Sequence, residues 1–439
     1  MTTAEARSWL LQRAKERGVD LEVLGTSERK LTVEARDGKP SDVSMSTGGG
    51  VGLRVVTAGR MGYAWSEELT EDALGWALDE AISNAELQES DSTAVLPAGT
   101  ALGRHDLLDE ALSAPLDEKK DAAISFERGL SADPRLQALQ SARYSETQTE
   151  GEISSSRGAT GVFRGGHALL MGASVMREGD SVKQGYSVDA QRGFHSLDPG
   201  RTAQEALTEV GRHLGARPLT TGRRRAIFEP EVTATVLALL SFSLSGKSLA
   251  EGTSLLADRL GQQIAAKLVT IIDDPFRPDG LASRPFDAEG TPSRKLVIVE
   301  DGVFRSFLHN SDTAARTGQA NTAHAGRSYR STLDVQPSNL LLEPRSGVTR
   351  SEGSIIVTDV MGVHAGANPI SGDVSVQAMG LQVTGAELVP VDNFAISFNL
   401  FRLLEQIEEV GSDFQWRPGM MGIIGAPSIA VPDLSFGGS

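Results

Sequence analysis

The chain carries seven histidines, and neither their spacing nor their neighbours can build a helical zinc grip. None of His105, His167, His195, His213, His309, His324 and His364 is followed by Glu. No two lie one helical turn apart, as two imidazoles sharing a metal from one helix face must. Cysteine is absent, which excludes disulfides and thiolate-held zinc or iron–sulfur centres. The remaining chemistry-bearing residues fall in short polar segments. His309-Asn310-Ser311-Asp312 places an imidazole, an amide, a hydroxyl and a carboxylate in succession, but triad members usually come from separate loops, so a turn or a helix capped by Ser311 or Asp312 is the plainer reading. His364, Asn368 and Asp373 share a glycine-rich loop in which Gly366 and Gly372 would let backbone N–H groups approach a ligand, as in a peptide groove or an oxyanion contact. The same residues also describe a strand-connecting loop with satisfied polar groups. Asp287 and Glu289 could serve a hard cation or a proton transfer, or decorate a turn.

Two glycine-containing segments imitate nucleotide-binding loops. Ser245-Gly246-Lys247-Ser248 resembles the end of a phosphate loop, yet Ser241 stands where the first glycine is required, so it reads as a helix end. Gly48-Gly49-Gly50-Val51-Gly52 lacks the third glycine of a dinucleotide fingerprint and lies between strands, which predicts a glycine-rich hairpin.

Composition bounds the function further. The chain has 439 residues, 39% hydrophobic and 23% charged, enough for two or three cores. A formal charge of −16 repels phosphate backbones, so direct nucleic-acid binding is not expected. The N-terminal residues lack a basic, then apolar, signal pattern, and the apolar stretch Glu231 to Lys247 is too short to span a bilayer. A cytoplasmic protein is expected, with no membrane partner.

The elements that must position these loops read as α+β, with mostly antiparallel sheets flanked by helices. A capping box, Thr2 with Glu5, opens a first helix that stops at Gly18. Alternating residues predict strands from Leu21 through Val33 and Val51 through Trp65, with turns at Asp37-Gly38 and Gly48-Gly49-Gly50. Apolar residues at 3/4 spacing from Ala73 to Ala85 predict a helix, and another covers Leu116 to Leu130. Arg135 to His195 reads as a strand meander broken at Glu150-Gly151, Arg157-Gly158, Gly165-Gly166 and Glu178-Gly179-Asp180. A capping box, Thr202 with Glu205, predicts a helix ending at Gly215. Residues 216–225 are the boundary candidate, dividing an N-terminal region, 1–218, from a β-rich C-terminal domain, 219–439. The second half is expected to begin with a strand Arg225 to Phe228. Helices from Glu231 and near Leu255 to Leu268 follow, then a strand Leu268 to Ile272, with a last helix at Phe398 to Val410.

An ordered series in the second half resembles the TldD/PmbA family, on its PmbA (TldE) branch. It runs through Thr221 to Pro230, Asp287-Ala-Glu-Gly-Thr-Pro292, Phe307 to Ala315, Val357 to Asn368, Gly372-Asp-Val-Ser-Val376 and Gly425-Ala-Pro-Ser428. The resemblance implies a cytoplasmic pair in which a TldD-type subunit carries a His-Glu-x-x-x-His zinc motif and cleaves unfolded peptides. The PmbA-type subunit completes the enclosed chamber. It also implies links to peptide-antibiotic maturation, antitoxin breakdown and, through these, modulation of DNA gyrase. Aligned on Gly252-Thr253-Ser254, the zinc-motif positions fall near Ala238, Leu239 and Phe242, which can neither bind zinc nor activate water. The resemblance therefore predicts a non-catalytic subunit with no cofactor of its own, zinc residing in the TldD-type partner, and a peptide groove using His309, Asn310, His364, Asn368 and Asp373. An autonomous non-zinc hydrolase and a homodimeric peptide-binding scaffold are the rival readings.

Overall fold

In a computed structural model that describes residues 1–91, 94–419 and 422–438, the first helix, α1 (Thr3–Arg17), starts and stops as its sequence dictates. The Thr2 hydroxyl accepts the Glu5 N–H, the Glu5 carboxylate accepts the Thr2 N–H, and Gly18 ends the helix at φ 71°. β1 (Asp20–Arg36), β2 (Lys39–Thr57) and β3 (Arg60–Ser66) follow, then α2 (Glu71–Glu86) capped by Thr70. β4 (Ala101–Asp106), α3 (Leu116–Leu130), β5 (Leu136–Ser155), β6 (Thr160–Glu178), β7 (Ser181–Gln191) and α4 (Pro199–Gly211) complete the first half. Its strands form one sheet in the order β3-β2-β1-β5-β6-β4, with β7 also on β6. α1 and α2 cover Leu21, Val23, Val51 and Leu53 of this sheet, while α3 and α4 cover Leu31, Val33, Tyr144 and Leu170.

Several glycine pairs that the sequence marks as turns lie inside long strands. Gly48-Gly49-Gly50 is mid-β2, Glu150-Gly151 mid-β5 and Gly165-Gly166 mid-β6, whereas Asp37-Gly38, Arg157-Gly158 and Glu178-Gly179-Asp180 are turns between strands. These glycines admit neighbours rather than bend the chain. A Cβ at Gly151 would lie 2.5 Å from the Phe163 ring, and one at Gly52 would lie 2.3 Å from the Tyr329 carbonyl oxygen. Thr202 is likewise no cap: α4 begins at Pro199, its N-cap is Asp198, and the buried Thr202 hydroxyl donates to the Asp198 carbonyl and to Asp189.

The second half opens with β8 (Arg217–Pro218), β9 (Gly222–Phe228), α5 (Pro230–Leu244) and α6 (Gly246–Ala250). β10 (Ile271–Asp273), β11 (Leu296–Glu300), β12 (Val303–Phe304), α7 (Ser311–Thr317), β13 (Ala325–Gly326), β14 (Asp334–Val335) and β15 (Leu340–Leu342) come next. The chain then runs through β16 (Ile355–Met361), α8 (Val363–Gly366), β17 (Asp373–Thr384), β18 (Glu387–Asn399), α9 (Leu400–Glu405), β19 (Glu409–Val410), β20 (Gln415–Gly419), β21 (Gly422–Ala426) and β22 (Ile429–Gly437). Two large sheets result, β12-β11-β10-β15-β21-β20 and β19-β22-β9-β16-β17-β18-β8, together with the two-stranded β13-β14. α5 contributes to the largest core, with Leu237, Leu240 and Leu244 buried among Phe228, Ile271 and Val357. The fold is α+β with mostly antiparallel pairing.

No helix forms between Leu255 and Leu268. The N–H groups there turn outward to other segments, Gly261 to the Phe304 carbonyl, Ile264 to Gly302 and Ala266 to Leu404, so apolar spacing was satisfied without i−4 bonds. The strand expected after it, Leu268 to Ile272, is shorter and later as β10, and the last helix is only α9. No helix among the described residues is long and apolar enough to cross a membrane.

Candidate functional site

α5 is held at both ends and open along one stripe. Pro230 occupies its first turn, and Glu229, paired with Arg212, precedes it. At its far end Leu308 N–H donates to the Leu244 carbonyl at 2.9 Å, Gly246 N–H to the Leu308 carbonyl at 2.7 Å, and the Ser254 hydroxyl to the Ser243 carbonyl at 2.7 Å. Only Glu231 and Phe242 are exposed and only Thr235 half-buried on the helix; with Ala238, 9% exposed, they repeat at one helical stripe. The stripe is the side of α5 left open by its packing on β20, β21 and β16.

Its character changes along its length. Glu231 receives Arg417 Nε at 3.2 Å, and partial burial pushes its carboxyl above the usual range against the pull of Arg417. Asp359 on β16 is raised for the same first reason, partial burial. Towards Phe242 the stripe is apolar. Ala238, Leu239 and Phe242, where the zinc grip would fall, offer no lone pair to a metal, and Leu239 faces the core. Among the described residues no group of three or more His, Asp or Glu side chains converges as a metal site. The α5 residues present do not fit a zinc ion.

The five groove candidates separate into two groups. Asn368 and Asp373 line an open cavity of about 590 Å³ with Ser375, Ser397 and Phe398. His364 sits exposed on α8, beside this cavity in sequence. Asn368 also shapes the loop, its side-chain oxygen accepting the N–H groups of Ile370 and Ser371. Asp373 accepts from Ser371 and Asn399, and these bonds hold its carboxyl below the usual range. The cavity adjoins the end of α5, where the Ser243 hydroxyl reaches the Pro369 carbonyl at 3.4 Å.

His309 and Asn310 are not groove residues; both are 2% exposed. Asn310, rather than Ser311 or Asp312, caps α7, accepting the Thr313 N–H at 2.8 Å. His309 packs under Gly246, where a Cβ would lie 2.2 Å from its Nδ1, and burial depresses its imidazole to about 4. Gly246 is therefore a helix junction that clears space for an imidazole. The neighbouring His324 links Asp273, at 3.1 Å, to Thr322, at 2.8 Å, but all three are buried and Thr322 is spent on the His309 backbone. This is a structural relay, not a hydrolytic triad.

Asp287 and Glu289 are neither a cation pair nor turn decoration. Glu289 Oε1 accepts Arg54 Nη1 at 2.6 Å, and Arg54 Nη2 reaches Glu22 at 2.9 Å, which in turn accepts Arg327 at 2.8 Å. All four side chains are buried. Burial alone would lower the Arg54 pKa, but Glu22 and Glu289 carry it above the ordinary arginine range. Asp287 accepts N–H groups from Glu289, Thr291 and Ala325. Burial and the charge of Glu289 nevertheless push its carboxyl up to about 7.

Main-chain partners for an extended ligand lie in the first half. Residues 39–48 of β2 are exposed, and β3 pairs only with residues 51–57. In the second half, the seven-stranded sheet ends on the two-residue strands β19 and β8, and the six-stranded sheet on β12 and β20.

The architecture is matched along nearly the whole chain. Residues 21–85 fit the PmbA/TldA metallopeptidase domain 1, 109–214 the central domain, and 221–438 the C-terminal domain. The metalloprotease PmbA of Escherichia coli O157:H7 is 28% identical across 99% of this chain and 96% of its own length. The PmbA homolog of Haemophilus influenzae is 27% identical across 94% and 92%. Crystal structures of a candidate modulator of DNA gyrase from Thermotoga maritima and of TldE from Thermococcus kodakarensis superpose with TM-scores of 0.87 and 0.85 at 24% and 23% identity. The first covers 99% of this chain and 100% of its own, the second 98% and 100%. The chain belongs to the PmbA/TldD metallopeptidase family, on its PmbA branch.

Proposed function

We propose that this chain is a non-catalytic, TldE-like subunit that pairs with a TldD-type zinc peptidase in the cytoplasm and helps hold unfolded peptide substrates. The observation that carries the reading is the α5 stripe: the face where a family enzyme would hold its metal carries Ala238 and Phe242 instead of ligands. Chemistry requiring an activated water then belongs to the partner, while this chain contributes shape and polarity. The apolar end of the α5 stripe meets side chains of an extended peptide, the Asn368–Asp373 cavity adds donors and acceptors, and the open edge of β2 offers backbone pairing.

Co-expression with a TldD-type chain from the same genome tests this. A one-to-one complex is expected, with peptide cleavage present in the complex and absent from this chain alone. Phe242→Asp should weaken cleavage by the complex without changing the zinc held by the partner. Cleavage by this chain alone, lost in His364→Ala, would favour an autonomous hydrolase.

A further inference from the structure

We infer that Glu289 couples the seating of the N-terminal sheet to the end of α5, acting as a positioning residue between the two halves. The link can be followed bond by bond. From the sheet, Arg54 of β2 donates to Glu289 Oε1. The same carboxylate accepts both the hydroxyl of Ser311 and, at 2.8 Å, its N–H, fixing the first residue of α7. Immediately before it, Asn310 anchors to the Asp334 carbonyl at 3.1 Å, and His309 lies against Gly246. Leu308 is stitched to Leu244 and Gly246 across the α5–α6 junction.

A second contact seats the same sheet. The 327–333 segment between β13 and β14 crosses β2, with Tyr329 over Gly50 and Gly52, its ring edge-on to Trp65 at 6.2 Å, its hydroxyl on Glu67, and Arg330 also paired with Glu67. Arg327 from this segment closes on Glu22 inside the buried cluster. The acids Glu22 and Glu289 are therefore balanced by one arginine from each half, with Asp287, Tyr63 and Asp312 adjoining. Misplacing the sheet leaves buried charges uncompensated, so the cluster tolerates one seating. α7 and the α5 terminus are tied to that seating.

Amide hydrogen exchange on the full chain tests the coupling, comparing wild type with Glu289→Gln. Residues 244–250 and 311–317 should exchange about tenfold faster, with the β17–β18 hairpin unchanged. Arg54→Lys provides a milder test if Glu289→Gln does not fold, since it keeps the charge but cannot fork to both Glu22 and Glu289. The same two segments should respond. Acceleration confined to residues around 54 and 289, with 244–250 protected as in wild type, would overturn the inference.

Discussion

Arg54 and Glu289, 235 positions apart in sequence, meet at 2.6 Å with neither side chain exposed. Such a pair returns its desolvation cost only while both partners are in place. Arg54→Met should therefore destabilise the chain by about 3–5 kcal/mol in urea unfolding, because the buried Glu289 loses its cation and Glu22 keeps only Arg327. Adding Glu289→Gln should cost less than the sum of the single changes, as expected for residues in one network. Additive losses would show that the pair is not a functional unit of stability.

The glycines of β2 give a positional contrast. Gly52→Ala would drive a methyl group into the backbone of Tyr329, and a loss of about 1–3 kcal/mol is expected. Gly48→Ala meets nothing within 4 Å and should stay within about 0.5 kcal/mol of wild type. Equal effects at both positions would contradict close approach as the reason for the glycines.

Acid stability carries two opposing contributions. His309, depressed from 6.5 to about 4, binds its proton more readily when unfolded, so its contribution is complete above pH 6.5 and is lost as pH falls towards 4. Asp287, raised from 3.8 to about 7, acts with the opposite sign: the folded state holds the proton more tightly, and stability declines as pH rises from about 4 to 7. The unfolding free energy at pH 7.5 minus that at pH 5 should therefore be lower in His309→Asn than in wild type, because the gain from His309 is removed while the opposing loss from Asp287 remains. An unchanged difference would mean that His309 does not titrate across this window.

Much of the secondary structure could be read locally. The Thr2–Glu5 box, the 3/4 spacing after Thr70 and the helix from Leu116 depend on neighbours within a turn or two, and α1, α2 and α3 lie where those signals put them. Glycine was misleading because its local meaning, a turn, and its tertiary meaning, room for another segment, share one letter. Gly52 makes space for Tyr329, 277 positions away, and nothing near it in sequence announces that. The candidate site was legible in its negative aspect, the missing metal donors of α5. Its positive aspect was only partly so. Asn368 and Asp373 line a cavity, whereas His309 and Asn310 are consumed in capping and packing beneath α6. The Glu22–Arg54–Glu289–Arg327 cluster was hidden because each charge looks like ordinary surface polarity until distant segments meet. A hint lay in α5 itself, where Glu231 and Thr235 stand one turn apart on a mostly apolar helix and mark the open stripe.

The central claim, that this chain lacks a metal centre of its own, is tested most directly by zinc per chain in protein purified alone from zinc-supplemented medium. A substoichiometric trace removed by mild chelation is the expected result. One zinc per chain retained through that treatment would contradict the account and make this chain a candidate enzyme in its own right.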